Sequence, residues 1–183
     1  MTKNPFQLEP LFSETVWGAE KRMVSDCASW SIKFLSTHAP LSVQVHPRNI
    51  SIDIASDREI WCILEAEPQS RIHIGLSHPV SREEIIMALR ENSILSLMNE
   101  YRPNKGDCFI IPAGTLHCLG AGITAWEVSP SENKTLRLYD WGRHHDKNGT
   151  RELHVNECLK VLFPSDEAVC GESVSWCVNG VNF

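Results

Sequence analysis

The 183-residue chain is short of several things, and each shortage removes a class of protein. No apolar run approaches the roughly 18 residues that suggest a membrane-crossing helix. The start, Met1 to Pro10, is mixed and polar and lacks the layout of a secretory signal. There is no basic stripe: 17 lysines and arginines stand against 23 aspartates and glutamates, a formal charge of -6. Neither nucleic acid nor a membrane is therefore an expected partner, although a basic pocket for a small anion fits inside an acidic protein. No Cys-x-x-Cys pair occurs among the seven cysteines, Cys27, Cys62, Cys108, Cys118, Cys158, Cys170 and Cys177. Odd in number and scattered, they read as free thiols of a reducing cytoplasm, with Cys170 and Cys177 open to bridging a terminal hairpin. Repeats, low-complexity tracts and linkers are missing too, so the chain reads as one domain over residues 1–183.

What is present is an ordinary globular composition, 42% hydrophobic and 22% charged, with a mean hydropathy of -0.20. Short β-branched, apolar and aromatic runs recur between turn signals. Residues 29–36, 41–46, 60–64, 71–74, 108–111 and 125–128 read as strands, and several short strands at this spacing predict a barrel or sandwich. One segment differs. Ser81 followed by Glu84 makes a capping box, and Ile85, Ile86 and Leu89 continue at helical spacing. A second helical turn is expected through Leu95 and Met98, with Asn92-Ser93 as the break. Farther on, residues 152–162 suggest a helix and 173–178 a last strand, both packed on the outside.

The most informative stretch runs from Gly106 to His117: a glycine, five residues, Pro112-Ala113-Gly114, two residues and a histidine. Gly106-Asp107 suits a tight turn, 108–111 a buried strand, and Pro112 and Gly114 a sharp bend that aims His117 into a barrel mouth. Upstream, on a strand expected to face the one bearing His117, Gln44 and His46 are two apart and so share one face, with Val45 on the other. Glu59 follows thirteen residues later, just before Ile60-Trp61. Alone it would be an exposed glutamate. With Gln44, His46 and His117 it completes a mixed nitrogen and oxygen set for a divalent ion, zinc first, with iron or manganese equally satisfied by these donors. The other histidines, His38, His73, His78, His144, His145 and His154, lack a partner at ligand spacing and read as structural or exposed.

The Gly106–His117 spacing is similar to the second motif of the cupin superfamily, which implies a mainly β fold: a cupin (double-stranded β-helix, jelly-roll) barrel at about residues 28–145, a small helical insertion and a tail packed on it. More specifically, the chain resembles the type I mannose-6-phosphate isomerases in a short, single-barrel form. The resemblance rests on Trp17-Gly18, residues 40–47 (PLSVQVHP), Glu59-Ile60-Trp61, residues 112–117 (PAGTLH), residues 120–127, residues 135–143 (TLRLYDWGR) and residues 151–155 (RELHV). It implies metal ligation by Gln44, His46, Glu59 and His117. It also implies catalytic roles for Arg137 and Glu127, and substrate-phosphate contacts for Lys33 and Ser42. The implied reaction interconverts mannose 6-phosphate and fructose 6-phosphate by moving a proton between C1 and C2. Plain alternatives stand beside these roles: Arg137 pairing with Glu127 across neighbouring strands, and Lys33 in solvent.

The chain also departs from that family. A Gly-Lys pair usually precedes the metal glutamate, where this sequence has Ser56-Asp57-Arg58, leaving Arg58 as the candidate substitute. Arg48-Asn49 replaces an acidic pair after His46-Pro47, and the chain ends near where the family's second β domain begins. A non-catalytic sugar-binding or regulatory cupin, and a metal-dependent dioxygenase, are the competing functions. A homodimer paired through an edge strand or a swapped terminus is compatible with a lone barrel.

Overall fold

The computed structural model describes residues 9–24, 29–51, 53, 57–143, 145–146, 149–163, 175–178 and 181–182. In chain order its strands are β1 (Glu9–Thr15), β2 (Gly18–Val24), β3 (Trp30–Thr37), β4 (Val43–Val45), β5 (Arg58–Ala66), β6 (Ile72–Leu76), β7 (Met98–Tyr101) and β8 (Cys108–Pro112). They continue as β9 (His117–Leu119), β10 (Ile123–Pro130), β11 (Leu136–Tyr139), β12 (His145–Asp146), β13 (Gly149–Thr150), β14 (Ser175–Val178) and β15 (Val181–Asn182). Two helices accompany them, α1 (Arg82–Arg90) and α2 (Val155–Leu162).

Alternation explains the two layers. In β5, Glu59, Trp61 and Ile63 are buried while Arg58, Ile60 and Cys62 are half-exposed, and β8 buries Phe109 and Ile111 in the same rhythm. A strand patterned this way must lay one face against another layer. The result is an eight-stranded sheet in the order β1-β2-β3-β10-β5-β8-β14-β15 facing a five-stranded sheet in the order β11-β4-β9-β6-β7, the mainly β cupin barrel expected. The ladders are antiparallel throughout. One core cluster, around Trp61, Ile72, Ile74, Phe109 and Leu119, fills the space between the sheets. A second, around Val43, Val45, Ile85, Leu138 and Leu159, lies where α1 and α2 cover the smaller sheet. Burying a side chain of this size is worth about 1.5–3 kcal/mol.

The helical insertion starts as read from the sequence. The Ser81 hydroxyl accepts from the Glu84 N–H, and Glu84 Oε2 accepts from the Ser81 N–H at 2.7 Å. Asn92, at φ 55°, breaks the helix before a 3-10 turn at Ile94–Leu97. The second helical turn does not run on through Met98, however. Met98–Tyr101 is a strand paired with β6, because the spacing of Leu95 and Met98 suits either conformation and the open edge of β6 takes the backbone hydrogen bonds. The hairpin β1–β2 was invisible in the sequence for a related reason: it sits at the sheet edge with Leu11 and Phe12 exposed, so no alternation marks it. Gly18 holds it in place, since a Cβ there would stand 1.9 Å from the Ser36 carbonyl oxygen. Cys27, Cys170 and His144 lie outside the described residues, as does the Cys170–Cys177 bridge.

Candidate metal centre and its pocket

The candidate ligands come from both sheets. Gln44 on β4 and His117 at the start of β9 are directly opposed in the smaller sheet, so they are neighbours on adjacent strands rather than on facing ones. His46 follows β4, and Glu59 reaches in from β5 of the larger sheet. The bend before His117 is made as the sequence suggested, with Gly114 at φ 87° and its N–H donating to the His46 carbonyl at 2.8 Å. That bond ties the two histidine-bearing segments together.

His46, Glu59 and His117 are all buried and offer donor atoms that lie within 4.8 Å of one another. Each histidine has its Nδ1 against a backbone carbonyl, Lys134 O at 2.9 Å for His46 and Thr115 O at 2.8 Å for His117. A carbonyl only accepts, so both rings carry their proton on Nδ1 and present Nε2 to the centre. His46 Nε2 is buried and lies 2.8 Å from Glu59 Oε2. The indole of Trp61 donates to Glu59 Oε1 at 2.5 Å and its ring meets His117 edge-on, with centroids 5.5 Å apart. Gln44 Nε2 is 3.3 Å from His117 Nε2, and Ser42 donates to Gln44 Oε1 at 2.9 Å. Two imidazole nitrogens and a carboxylate converging in a buried site, each side chain fixed from behind, fit a divalent metal ion.

Electrostatics sharpen the picture. Burial alone would raise the Glu59 carboxyl, but His46, His117 and Lys33 outweigh it and hold the group below the usual carboxylate range. Burial pushes His117 down to about 4, so it stays neutral, as a metal ligand must. His46 moves the other way: burial opposes its charge, and the adjacent Glu59 more than compensates.

Beyond the candidate ligands the pocket holds a second charged group. Glu127 on β10 is in register with Lys33 on β3, and Lys33 Nζ donates to Glu127 Oε1 at 2.6 Å. Burial, then the charge of Glu59, pushes Glu127 up to about 7 against the pull of Lys33. Burial works against the Lys33 charge, yet Glu127, Glu59 and Glu20 hold it above the usual lysine range. Lys33 is thus paired rather than standing in solvent. Arg137 lines the same pocket from β11, opposite Gln44 in the smaller sheet, so it does not neighbour Glu127 by strand pairing. Arg58 shares the outward face of β5 with Ile60 and Cys62 and does not line the pocket, so it does not replace the family's lysine.

Several wall residues escaped the sequence reading, three of them large or charged. Trp17 and Glu20 come from the β1–β2 hairpin, and Arg151 comes from the segment before α2. Arg151 is held by Asp140, at 2.6 and 3.2 Å, and Asp140 also accepts from Arg143 at 2.7 Å. For Trp17 and Arg151 the signal was present, since Trp17-Gly18 and the RELHV block carry part of the resemblance, but nothing in either block suggested a role; Glu20 lies in neither.

Fold and site together define a cupin barrel with a candidate His/Glu/His metal centre. The comparisons agree with the resemblance read from the motifs. The chain is 30% identical over 135 residues to the mannose-6-phosphate isomerase ManA of Bacillus subtilis, covering 71% of this chain and 42% of that protein. It is 31% identical over 134 residues to the mannose-6-phosphate isomerase of Streptococcus mutans, covering 71% and 42%. Among solved structures, the mannose 6-phosphate isomerase from Bacillus subtilis superposes with a TM-score of 0.67 at 19% identity, over 96% of this chain and 74% of that one. No family model matches. The chain spans about two-fifths of the length of the curated relatives it matches.

Proposed function

We propose that this chain is a metal-dependent sugar-phosphate isomerase that interconverts mannose 6-phosphate and fructose 6-phosphate or a related aldose and ketose phosphate. The observation that carries it is one pocket lined by His46, Glu59, the Lys33–Glu127 pair and Arg137, with the His117 donor buried beside His46 and Glu59, in a chain similar to enzymes of that name. Gln44, His46, Glu59 and His117 would hold the metal, zinc by preference, with iron or manganese as alternatives. A bound divalent ion supplies Lewis-acid polarisation of a sugar carbonyl or hydroxyl oxygen.

The remaining roles belong to side chains. Isomerisation needs a group that takes a proton from one carbon and returns it to the next, and such a group works best with a pKa close to the operating pH. Glu127, at about 7, suits that task. Arg137 supplies a permanent positive charge in the pocket for the oxygen that becomes negative in the enediolate. Lys33 keeps Glu127 oriented and, with Ser42, offers donors to the substrate phosphate. The same reading takes the chain as one cupin unit at work in the cytoplasm on a small sugar phosphate, without nucleic acid or membrane as partner. A homodimer remains compatible with it. Among the described residues no helix is long and apolar enough to cross a membrane.

A coupled assay of the zinc-loaded protein with mannose 6-phosphate tests the proposal. Turnover abolished by chelation and restored by zinc is the expected result. Zinc bound at full occupancy with no turnover at high enzyme would instead favour a sugar-binding or regulatory cupin, a reading supported by Asp57 where the family carries a pocket lysine, with the neighbouring Arg58 on the outward face of β5. Iron with oxygen-dependent turnover would overturn both.

A further inference from the structure

The outer face of the large sheet, behind the pocket, carries a pair of thiols that none of the chemistry above uses. Cys62 on β5 and Cys108 on β8 are register partners on adjacent antiparallel strands, both half-buried and both reduced. Their Sγ atoms are 2.8 Å apart. Alternation explains why they face away from the metal: Trp61 and Ile63 on one strand, and Phe109 on the other, point into the core.

The backbone shows which kind of cross-strand position this is. The Ile63 N–H donates to the Asp107 carbonyl at 2.8 Å, which links the residue after Cys62 to the residue before Cys108. Trp61 and Phe109 are the next register partners. That pattern makes Cys62 and Cys108 a non-hydrogen-bonded pair, the closer of the two antiparallel spacings, with Cα atoms typically ~4.5 Å apart. A disulfide spans Cα separations from ~4.4 Å upward. The backbone therefore already sits where a bridge between these residues would need it.

We propose that Cys62 and Cys108 form a redox site, a cross-strand dithiol that closes to a disulfide by exchange with a low-molecular-weight disulfide. The Cys62 thiolate attacks one sulfur of the small disulfide, forming a mixed disulfide and releasing one small thiol. The Cys108 thiolate then attacks Cys62 Sγ, the mixed disulfide breaks, and a second small thiol leaves. Both protein thiol protons end on the two released thiols, so the protein is oxidised by two electrons and the small disulfide is reduced by two. Burial and the adjacent Cys62 push the Cys108 thiol up to about 12, which favours Cys62 as the first attacker. The part of that shift due to Cys62 disappears once Cys62 is in the mixed disulfide. The bridge would staple β5, which carries Glu59, to β8.

Cys177 occupies the register position across β8 from Cys108 on the other side, so the test must separate two pairings. The full-length protein is equilibrated with oxidised and reduced glutathione at a series of ratios, quenched by alkylation, and mapped without reduction by mass spectrometry. The expected result is loss of two hydrogens per chain and a peptide cross-linking Cys62 to Cys108, with no stable glutathione on either. Cys62→Ala and Cys108→Ala should each retain one glutathione on the remaining cysteine of the pair. Persistent glutathione on both cysteines of the unaltered chain, a Cys108–Cys177 link in its place, or both thiols still alkylated at the most oxidising ratio would overturn the proposal. The wild-type map decides the matter even if a variant fails to fold.

Discussion

Lys33 and Glu127 face each other in register on β3 and β10, and Lys33 Nζ lies 2.6 Å from a carboxylate that burial pushes toward its protonated form. The lysine acts as a brake on Glu127: its charge favours the ionised form, while burial and Glu59 favour the neutral one. In Lys33→Met the brake is gone and the Glu127 pKa rises by roughly one to three units. A proton-abstracting carboxylate is active when ionised, so the acid limb of kcat/KM should move to higher pH by that amount. Lys33→Arg should leave the limb near its original place. An unshifted limb in Lys33→Met would remove Glu127 from the proton-transfer role.

His117 and Arg137 should separate by readout. Removing a buried imidazole ligand in His117→Ala should cost more than ~100-fold in metal affinity, beyond the range typical of residues that only support a ligand. Arg137→Ala should keep full metal occupancy and lose ~10²–10³ in kcat, the usual effect of deleting a donor to a developing oxyanion. Metal content by elemental analysis, beside the coupled assay, checks both. Full zinc occupancy in His117→Ala would refute the site.

Ser42 has a supporting place in the same scheme. An amide binds metal through oxygen, and in this structure the Gln44 oxygen faces Ser42 while its nitrogen faces His117. Reversing the amide leaves the Ser42 hydroxyl as the acceptor for its nitrogen, so Ser42 can hold either orientation. Ser42→Ala should weaken metal binding by roughly 10–100-fold, and Ser42→Thr should recover most of that loss. Competition titration against a fluorescent chelator measures it. An unchanged affinity in Ser42→Ala would leave Ser42 with the substrate phosphate alone.

The metal-free protein should lose stability in mild acid because of His117. Its folded pKa of about 4 lies below the ordinary 6.5, so between those values the unfolded chain binds a proton that the folded chain does not. Stability from this group is full above about pH 6.5 and falls as pH drops toward 4, by roughly 3 kcal/mol in total. Raised by Glu59, His46 acts in the opposite sense, so the comparison needs a variant. Urea midpoints from about pH 7.5 to about pH 5 should fall further for the wild type than for His117→Gln. Parallel curves would mean that His117 is protonated in the folded metal-free state.

How much of this was legible depended on how locally each feature is encoded. The Gly106–His117 spacing, the two-residue step from Gln44 to His46 and the capping box at Ser81 are short-range patterns, and the structure shows the turn, the shared face and the cap. The hairpin β1–β2 and the strand β7 were not legible, because an edge strand half in solvent needs no alternation and takes its conformation from its neighbour. The relation of Gln44 to His117 was read as facing strands and is an adjacent pair, since spacing in sequence carries no information about sheet order. Arg58 looked like a substitute for the absent lysine by proximity to Glu59, yet the pleat turns neighbouring residues to opposite faces.

Arg151 reaches the pocket from outside the strand framework, anchored through Asp140, and Trp17 reaches it from the opposite end of the chain. These two wall residues therefore lie on stretches of sequence apart from the candidate metal donors. Substitutions can accumulate in the hairpin or in the segment before α2 without disturbing the donors. On the proposed function, a barrel built this way could keep one reactive centre while its choice of sugar drifts, and altered residues around the candidate donor set are what such drift would leave behind.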